Sequence, residues 1–151
     1  MLKAGDIAKE FTAVDQKGEQ VTLSGLLEHG PVVLFFYPKA MTTGCTKESC
    51  HFRDLGAEFA ELGAQRVGIS ADDVDKQAAF DEKHGLGYPL LSDPDRVVAS
   101  AFGVKRPGPI MNKRATFVID TDRKVLAAIS SELNMDMHAD EALDVLRSAR
   151  S

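Results

Sequence analysis

Tryptophan is absent from this sequence, and cysteine is scarce, with two among 151 residues. Two cysteines are too few for the disulfide framework of a small secreted protein, whereas a close pair in a reducing compartment usually serves redox or metal chemistry. The chain also lacks any long block of Lys and Arg, and its formal net charge is −5. We therefore expect small-molecule chemistry, without a nucleic acid or an anionic lipid surface as partner.

Long apolar runs are missing as well. Residues 1–11 include both basic and acidic side chains and no apolar stretch of signal-peptide length, and no later run approaches the roughly 20 residues of a membrane span. We therefore expect a cytoplasmic protein that does not enter a membrane.

Apolar residues make up 44% and charged residues 27% of the chain, as in ordinary globular proteins, so we expect residues 1–151 to form one domain with its own core.

The apolar pattern in the first half predicts alternating strands and helices. A continuous apolar run at 32–37 is typical of a central strand covered on both faces, and apolar residues then recur at helical spacing from 46 to 62. A second strand is predicted at 66–70 and a second helix at 73–84. This alternation indicates a parallel βαβ unit, in which ligand sites lie at the carboxyl ends of strands. The loop 38–45 follows such an end.

The remaining pattern predicts shorter elements, with boundaries marked by Gly, Pro and Asp. They are a hairpin around Gly18, a short helix over 94–102, a loop over 105–113 with Pro107, Gly108 and Pro109, a hairpin of 116–119 with 125–129, and a last helix from Asp136 to Leu146. A parallel unit joined to antiparallel hairpins makes a mixed sheet, so the fold class is α/β.

Cys45 lies between a predicted strand end and the first turn of a predicted helix. Unpaired amide N–H groups and the positive end of the helix dipole favour a thiolate over a thiol at such a position. We therefore expect Cys45 to be a nucleophile.

Cys50 follows five residues later. Helix geometry separates two such Cα atoms by roughly 8 to 9 Å, whereas a disulfide needs about 7 Å or less. Either the pair never bonds, or the first turns of the helix unwind. By helical spacing Cys45 shares the buried stripe of Phe52 and Phe59 while Cys50 points away from it, an arrangement that suits one attacking and one resolving cysteine.

The residues around Cys45 carry a recognisable motif. Pro38, Thr42 and Cys45 form a Pro-x-x-x-Thr-x-x-Cys signature, and the chain resembles the peroxiredoxins, which are recognised by it. A second cysteine at position 50, within the following helix, is similar to the bacterioferritin comigratory protein or peroxiredoxin Q subfamily. The resemblance covers nearly the whole chain. It implies a thioredoxin-like three-layer fold with a central mixed β-sheet flanked by helices.

The resemblance also implies an activity. Such proteins reduce hydrogen peroxide and organic hydroperoxides without a cofactor or metal. Cys45 would become a sulfenic acid and condense with Cys50 to an intramolecular disulfide, which thioredoxin or a similar dithiol donor would reduce. The quaternary state implied is a monomer or a weak homodimer.

Roles for the other motif residues follow from the same resemblance. The Thr42 hydroxyl and backbone amides would hold the peroxide, and Pro38 would shield the site. Arg114, in an Arg-x-Thr-Phe pattern before a predicted strand, would stabilise developing charge, as a guanidinium can pair with thiolate and peroxide oxygens together. Glu48 falls where the subfamily has a glutamate and would order the loop.

One position departs from the subfamily pattern. Thr43 stands where a proline is usual, between the threonine and the glycine of the motif. Proline restricts the backbone, so its absence predicts a less rigid loop, easier unwinding around Cys45 and faster disulfide closure.

Other interpretations of these residues stay open at this point. The cysteines could be inert core residues, and Arg114 an ordinary surface charge. A zinc site of Cys45, Cys50 and His51 lacks a fourth ligand and the usual cysteine spacing, and a thiol–disulfide oxidoreductase would be expected to carry Cys-x-x-Cys. Two further groups are interpreted as structural: Met135, Met137 and His138 as core and surface residues rather than copper ligands, and Asp72, Asp73 and Asp75 as acids at a helix start.

Overall fold

A mixed β-sheet forms the centre of the computed structural model, which describes residues 1–108 and 110–150. The strands within these residues are β1 Thr12–Val14, β2 Gln20–Thr22, β3 Val32–Phe36, β4 Gln65–Ser70, β5 Leu90–Ser92, β6 Ala115–Ile119 and β7 Val125–Ser130. The helices are α1 Leu23–Leu27, α2 Thr43–Asp54, α3 Gly56–Glu61, α4 Val74–His84, α5 Val97–Phe102 and α6 Met135–Arg150. None of the described helices combines the length and the apolarity needed to cross a membrane.

The strand order is β2-β1-β5-β4-β3-β6-β7. β3, β4 and β5 run parallel, as the predicted βαβ unit requires, since helices connect them. β6 lies antiparallel to β3 and continues into β7 through the predicted hairpin. The N-terminal hairpin around Gly18, whose φ of 81° is a left-handed turn conformation, is also confirmed.

The sheet is covered on both faces, which explains the continuous apolar run of β3. Val32, Leu34 and Phe36 point into a core shared with α1 and α5. Val33 and Phe35 point to the opposite side, into a core shared with α2, α3, α4 and α6. Successive side chains of a strand alternate between faces, so the predicted three layers are confirmed.

The long helix predicted at 46–62 is wrong in its extent. α2 begins earlier, at Thr43, and ends at Asp54, while α3 begins at Gly56. Leu55 leaves helical geometry with ψ of 16°, and the Arg66 guanidinium donates to the Phe52 carbonyl at 3.0 Å. A side chain from β4 thus takes over a carbonyl at the helix end, a contact that the helical spacing of apolar residues does not reveal.

Two other helix starts differ from the prediction. α5 begins at Val97 rather than Pro94, because the Asp93 carboxylate accepts hydrogen bonds from the amides of Val98 and Ala99 at 3.1 and 2.9 Å. At the start of α6, the Asn134 side chain accepts from the Met137 amide, so Asp136 is not the cap.

The other helix predictions agree better with the structure. α4 matches its prediction, with Asp73 as N-cap and Gly85 in the left-handed conformation after its end. α1 and β5 were not predicted. The loop over 105–113 is confirmed for its described residues, and Pro109 lies outside them.

We predict that Phe35→Ala lowers the free energy of unfolding by about 3 to 5 kcal/mol, the usual effect of emptying a packed aromatic site. The Phe35 ring is fully buried and stacks on Phe52 of α2, with ring centroids 4.1 Å apart. Urea unfolding followed by circular dichroism measures the loss. Val97→Ala, at a side chain 68% exposed, is the control and should change stability by less than about 0.5 kcal/mol. A loss below about 1 kcal/mol for Phe35→Ala would contradict this packing.

Candidate active site

Cys45 is the third residue of α2, and its side chain is fully buried. The first hydrogen bond of α2 runs from the Thr46 amide to the Thr42 carbonyl, at 2.9 Å. The amides of Thr43, Gly44 and Cys45 therefore precede the first intrahelical bond, and the positive end of the helix dipole lies there. The start of α2 can bind an anionic or electron-rich oxygen beside the sulfur.

The register of the sheet brings Arg114 to this helix start. Phe36 at the end of β3 pairs with Ala115 at the beginning of the antiparallel β6. The chain that leaves β3 toward Cys45 and the residue that precedes β6 thus meet at one edge of the sheet. Arg114 is far from Cys45 in sequence, and only the antiparallel pairing makes them neighbours.

Arg114 contacts two acidic groups. Its Nη2 donates to Cys45 Sγ at 3.2 Å, and its Nη1 donates to Glu48 Oε1 at 2.8 Å. The side chain is 6% exposed, so the interpretation as an ordinary surface charge is wrong. Burial acts to lower the pKa of Arg114, but the charges of Glu48 and Cys45 outweigh it and raise the pKa. The guanidinium thus donates to a sulfur and to a carboxylate oxygen at the same time.

Glu48 is the buried acidic residue that Arg114 contacts beside Cys45. Its carboxyl is fully buried, and burial raises its pKa to about 8 in spite of the opposing charge of Arg114. Oε1 accepts the Arg114 hydrogen bond, whereas Oε2 has no hydrogen-bond partner. A second ionisable group, His138 Nδ1 on α6, lies 3.6 Å from Oε2. Glu48 thus joins the cysteine site to the C-terminal helix.

Thr42 is the N-cap residue of α2, without a side-chain cap hydrogen bond. Its hydroxyl donates to the Lys39 carbonyl at 2.7 Å and is exposed to solvent. Because the hydroxyl proton is used in this bond, the oxygen lone pairs remain able to accept a hydrogen bond from a ligand. Pro38, directly after the buried Tyr37, is half-buried at the start of the same loop.

Asp72 holds the loop that carries Thr42. Its Oδ2 accepts from the Ala40 amide at 2.7 Å and from the Ser70 hydroxyl at 2.6 Å. Met41, the next residue of the loop, is held at a φ of 68°, which is uncommon for a side chain other than glycine. The interpretation of Asp72 as a helix-starting acid is therefore wrong. Asp73 is the N-cap of α4, whereas Asp72, after β4, bonds the Ala40 amide in the loop after β3.

Gly44 and Met135 were also not predicted as part of the site. A Cβ on Gly44 would lie 3.3 Å from both Arg114 Nη2 and the Met135 methyl carbon, so a side chain there would crowd the guanidinium. Met135 therefore packs over the start of α2. Hydrophobic spacing predicted the α6 core residues but gave no signal for this contact, because Met135 precedes the apolar stripe.

Cys50 lies on the same unbroken helix as Cys45, and both thiols are free. Cys45 is buried among aromatic side chains, whereas Cys50 is partly exposed at the margin of that core. The predicted difference in environment is confirmed. With five residues of helix between them, the Cα atoms stand roughly 8 to 9 Å apart, too far for a disulfide without rearrangement.

The metal interpretation finds no support in this geometry. Among residues 1–108 and 110–150, no three or more His, Cys, Asp and Glu side chains group as ligands for a metal ion. His51 instead bonds Asp140 of α6 at 2.8 Å. His138, which follows Met135 and Met137 closely in sequence, is a buried residue bonded to Thr116.

Comparisons with known proteins agree with this site. The model of the AhpC/TSA family matches residues 4–128. A putative peroxiredoxin of Mycobacterium tuberculosis is 61% identical over 153 residues, 99% of each chain, and peroxiredoxin Bcp of Escherichia coli K12 is 40% identical, over 97% of this chain and 96% of its own. The crystal structure of peroxidoxin BcpB from M. tuberculosis has a TM-score of 0.97 and 60% identity, covering 100% of both chains.

These similarities confirm the thioredoxin-like fold and the family resemblance together. Peroxiredoxins reduce peroxides with a cysteine thiol and take electrons from a thiol reductant. The chain belongs to the AhpC/TSA family and is a peroxiredoxin, a thiol-dependent peroxidase of the bacterioferritin comigratory protein and peroxiredoxin Q type.

Proposed function

We propose that Cys45 is the sulfur that attacks the peroxide and that Cys50 resolves the product through an intramolecular disulfide. The observation that carries this proposal is the hydrogen bond from Arg114 Nη2 to Cys45 Sγ, 3.2 Å long, at the buried start of α2. A cation and a helix N-terminus both favour the thiolate, which is the reactive form of cysteine. Cys50 has no such contact with Arg114 and is the weaker nucleophile in this arrangement.

In the first step the thiolate attacks the terminal oxygen of the hydroperoxide. The O–O bond breaks, the sulfur becomes a sulfenic acid, and the alkoxide or hydroxide that leaves takes a proton from water. Thr42 Oγ1, whose proton is given to Lys39, accepts a hydrogen bond from the peroxide hydroxyl. The free amides at the start of α2 donate to the peroxide oxygens, and Pro38 limits the access of water.

Arg114 supports this step electrostatically. Negative charge leaves the sulfur and grows on the departing oxygen, and a guanidinium can follow that movement with two N–H groups in one plane. Its geometry is held from both ends, because Nη1 is bound by Glu48 and the backbone amide donates to Glu132 at 3.0 Å. Little reorganisation is needed when the charge moves.

In the second step the Cys50 thiol condenses with the sulfenic acid, which forms a disulfide and releases water. The separation of the two cysteines in α2 requires the first turns of that helix to unwind. Two hydrogen bonds resist this: the Tyr88 hydroxyl donates to the Ser49 carbonyl at 2.7 Å, and His51 bonds Asp140 at 2.8 Å. The first turn has no side-chain cap, so unwinding begins there.

The disulfide is then reduced by thioredoxin or a similar dithiol donor, which returns both thiols to the enzyme. Hydrogen peroxide and organic hydroperoxides are the proposed substrates. We further propose that residues 1–151 act as one domain in the cytoplasm, as a monomer or a weak homodimer.

The roles of the two cysteines are tested by adding one equivalent of hydrogen peroxide to the fully reduced protein and following free thiols and intact mass over seconds. The parent should lose both thiols, and Cys50→Ser should stop at a sulfenic acid or its overoxidised products. Cys45→Ser should stay unreacted. If both thiols of the parent survive, or if Cys45→Ser reacts as fast as the parent, the assignment is wrong.

The role of Arg114 is tested by Arg114→Lys, which keeps the charge but loses the two-pronged geometry. We expect the second-order rate constant for peroxide to fall by about 100-fold, the usual effect of removing one oriented donor from a developing charge. Stopped-flow measurement of Cys45 oxidation gives this rate. Arg147→Lys is the matched control, since Arg147 pairs with Asp144 on the exposed side of α6 and is 55% exposed; its rate should equal that of the parent. If the Arg114→Lys variant reacts with peroxide as fast as the parent and the control do, Arg114 is excluded from the reaction.

The effect of Thr43 is tested by Thr43→Pro. Thr43 is the first helical residue of α2, where proline fits without losing a hydrogen bond, and Thr42 before it is already extended, with ψ of 156°. We expect a gain in stability of about 0.4 to 1 kcal/mol and slower disulfide formation, measured as loss of the second thiol after a peroxide pulse. Thr43→Ala is the control. A proline variant that closes the disulfide as fast as the parent would refute the idea that Thr43 eases unwinding.

A further inference from the structure

His138 is a buried titratable side chain that the proposed peroxide chemistry does not use directly. It lies in the first turns of α6 and is fully buried. Its Nε2 is 2.8 Å from the Ser131 carbonyl oxygen, and its Nδ1 is 2.8 Å from the Thr116 hydroxyl. The third polar neighbour is Glu48 Oε2, 3.6 Å from Nδ1.

These partners determine where the ring protons lie. A carbonyl oxygen only accepts, so Nε2 carries a proton. Nδ1 then either accepts from the Thr116 hydroxyl, in a neutral ring, or carries a second proton and donates. Glu48 Oε2 is buried without a hydrogen-bond partner. An ionised Glu48 would keep the Arg114 contact at Oε1, but its Oε2 would face a nitrogen lone pair with no donor, which is unfavourable for a buried polar atom.

The contact therefore favours two arrangements with the same number of protons. In one, Glu48 is protonated and His138 is neutral. In the other, Glu48 is ionised and His138 is a cation. Burial favours the first, because it raises the pKa of Glu48 and lowers the pKa of His138.

The ionisable groups facing this pair come from two other parts of the chain and from α2 itself. Arg114, before β6, lies next to Glu48 and opposes a positive charge on His138. Glu132, after β7, favours protonation of both Glu48 and His138. Cys45, on α2, shares Arg114 with Glu48. The net negative charge next to Arg114 therefore depends on whether the pair of Glu48 and His138 holds its proton.

We propose that Glu48 and His138 hold one proton between them and that His138 is thereby a positioning residue for Arg114 and Cys45. While the proton is held, the pair carries no net charge and the thiolate is the main anion for the guanidinium. When the proton is lost, ionised Glu48 competes for Arg114 through Nη1 and adds negative charge near the sulfur. This inference rests on the proposed role of Cys45.

The test is the pH dependence of the peroxide reaction of the reduced protein, measured by stopped flow from pH 5 to 10 for the parent and for His138→Gln. The parent rate should fall on the alkaline side as Glu48 ionises. Glutamine can bond Ser131 and Thr116 but cannot hold the proton, so its alkaline limb should move to lower pH by up to about 0.3 units, the statistical value reached when two sites hold one proton equally. His29→Gln, at an exposed histidine of the loop after α1, is the matched control and should follow the parent.

The outcomes separate this inference from the proposed function. If the parent shows no Cys45-dependent reaction, the proposed function fails first. If the reaction is present and the His138→Gln limb stays where it is in the parent, or moves upward, the shared proton is wrong whatever the absolute rate. Should His138→Gln fail to fold, Glu48→Gln decides: it removes the titrating carboxyl, so the alkaline limb must disappear, and a limb that stays in place overturns the inference.

Discussion

The structure of this site depends on the guanidinium of Arg114. It lies between a buried thiol and a buried carboxyl and donates to each, at 3.2 and 2.8 Å. Without Arg114, an ionised Cys45 or an ionised Glu48 would be an unpaired charge in the protein interior, which costs several kcal/mol. Because one cation donates to both groups, a change in the charge of Glu48 changes the electrostatic environment of the Cys45 sulfur. The surrounding elements hold the guanidinium in this position.

The fold supplies that arrangement through strand pairing. β3 ends at Phe36, opposite Ala115 at the start of β6, so Arg114 is delivered to the helix that follows β3. The neighbouring parallel strand β4 delivers Asp72, which holds the loop amide of Ala40. α6 crosses the same helix and brings His138 and Met135. The site is thus made at one sheet edge by residues far apart in the chain.

Much of this could be predicted from the sequence where the signal is local. The apolar run of β3, the caps of α4 and the hairpins follow from composition and turn residues, and the motif with Cys45 identifies the helix start. Contacts across the sheet could not be predicted in this way. Asp72 was expected to start a helix because it adjoins Asp73, and His138 carries no local mark of its burial. The break at Leu55 depends on Arg66 from another strand, which no helical pattern can reveal.

The two ends of α2 differ in a way that suits the proposed mechanism, in which this helix first orients the Cys45 thiolate and then opens. Its C-terminal half is held by Phe52, stacked on Phe35, and by Arg66 on the last carbonyls. Its first turn has no side-chain cap, and Gly44 there leaves the backbone with little restraint. Local stability therefore rises along the helix from Cys45 toward Phe52. Unwinding that starts at the N-terminal turn frees Cys45 to approach Cys50 while the aromatic core beneath stays packed, so the proposed disulfide closes without unfolding of the sheet.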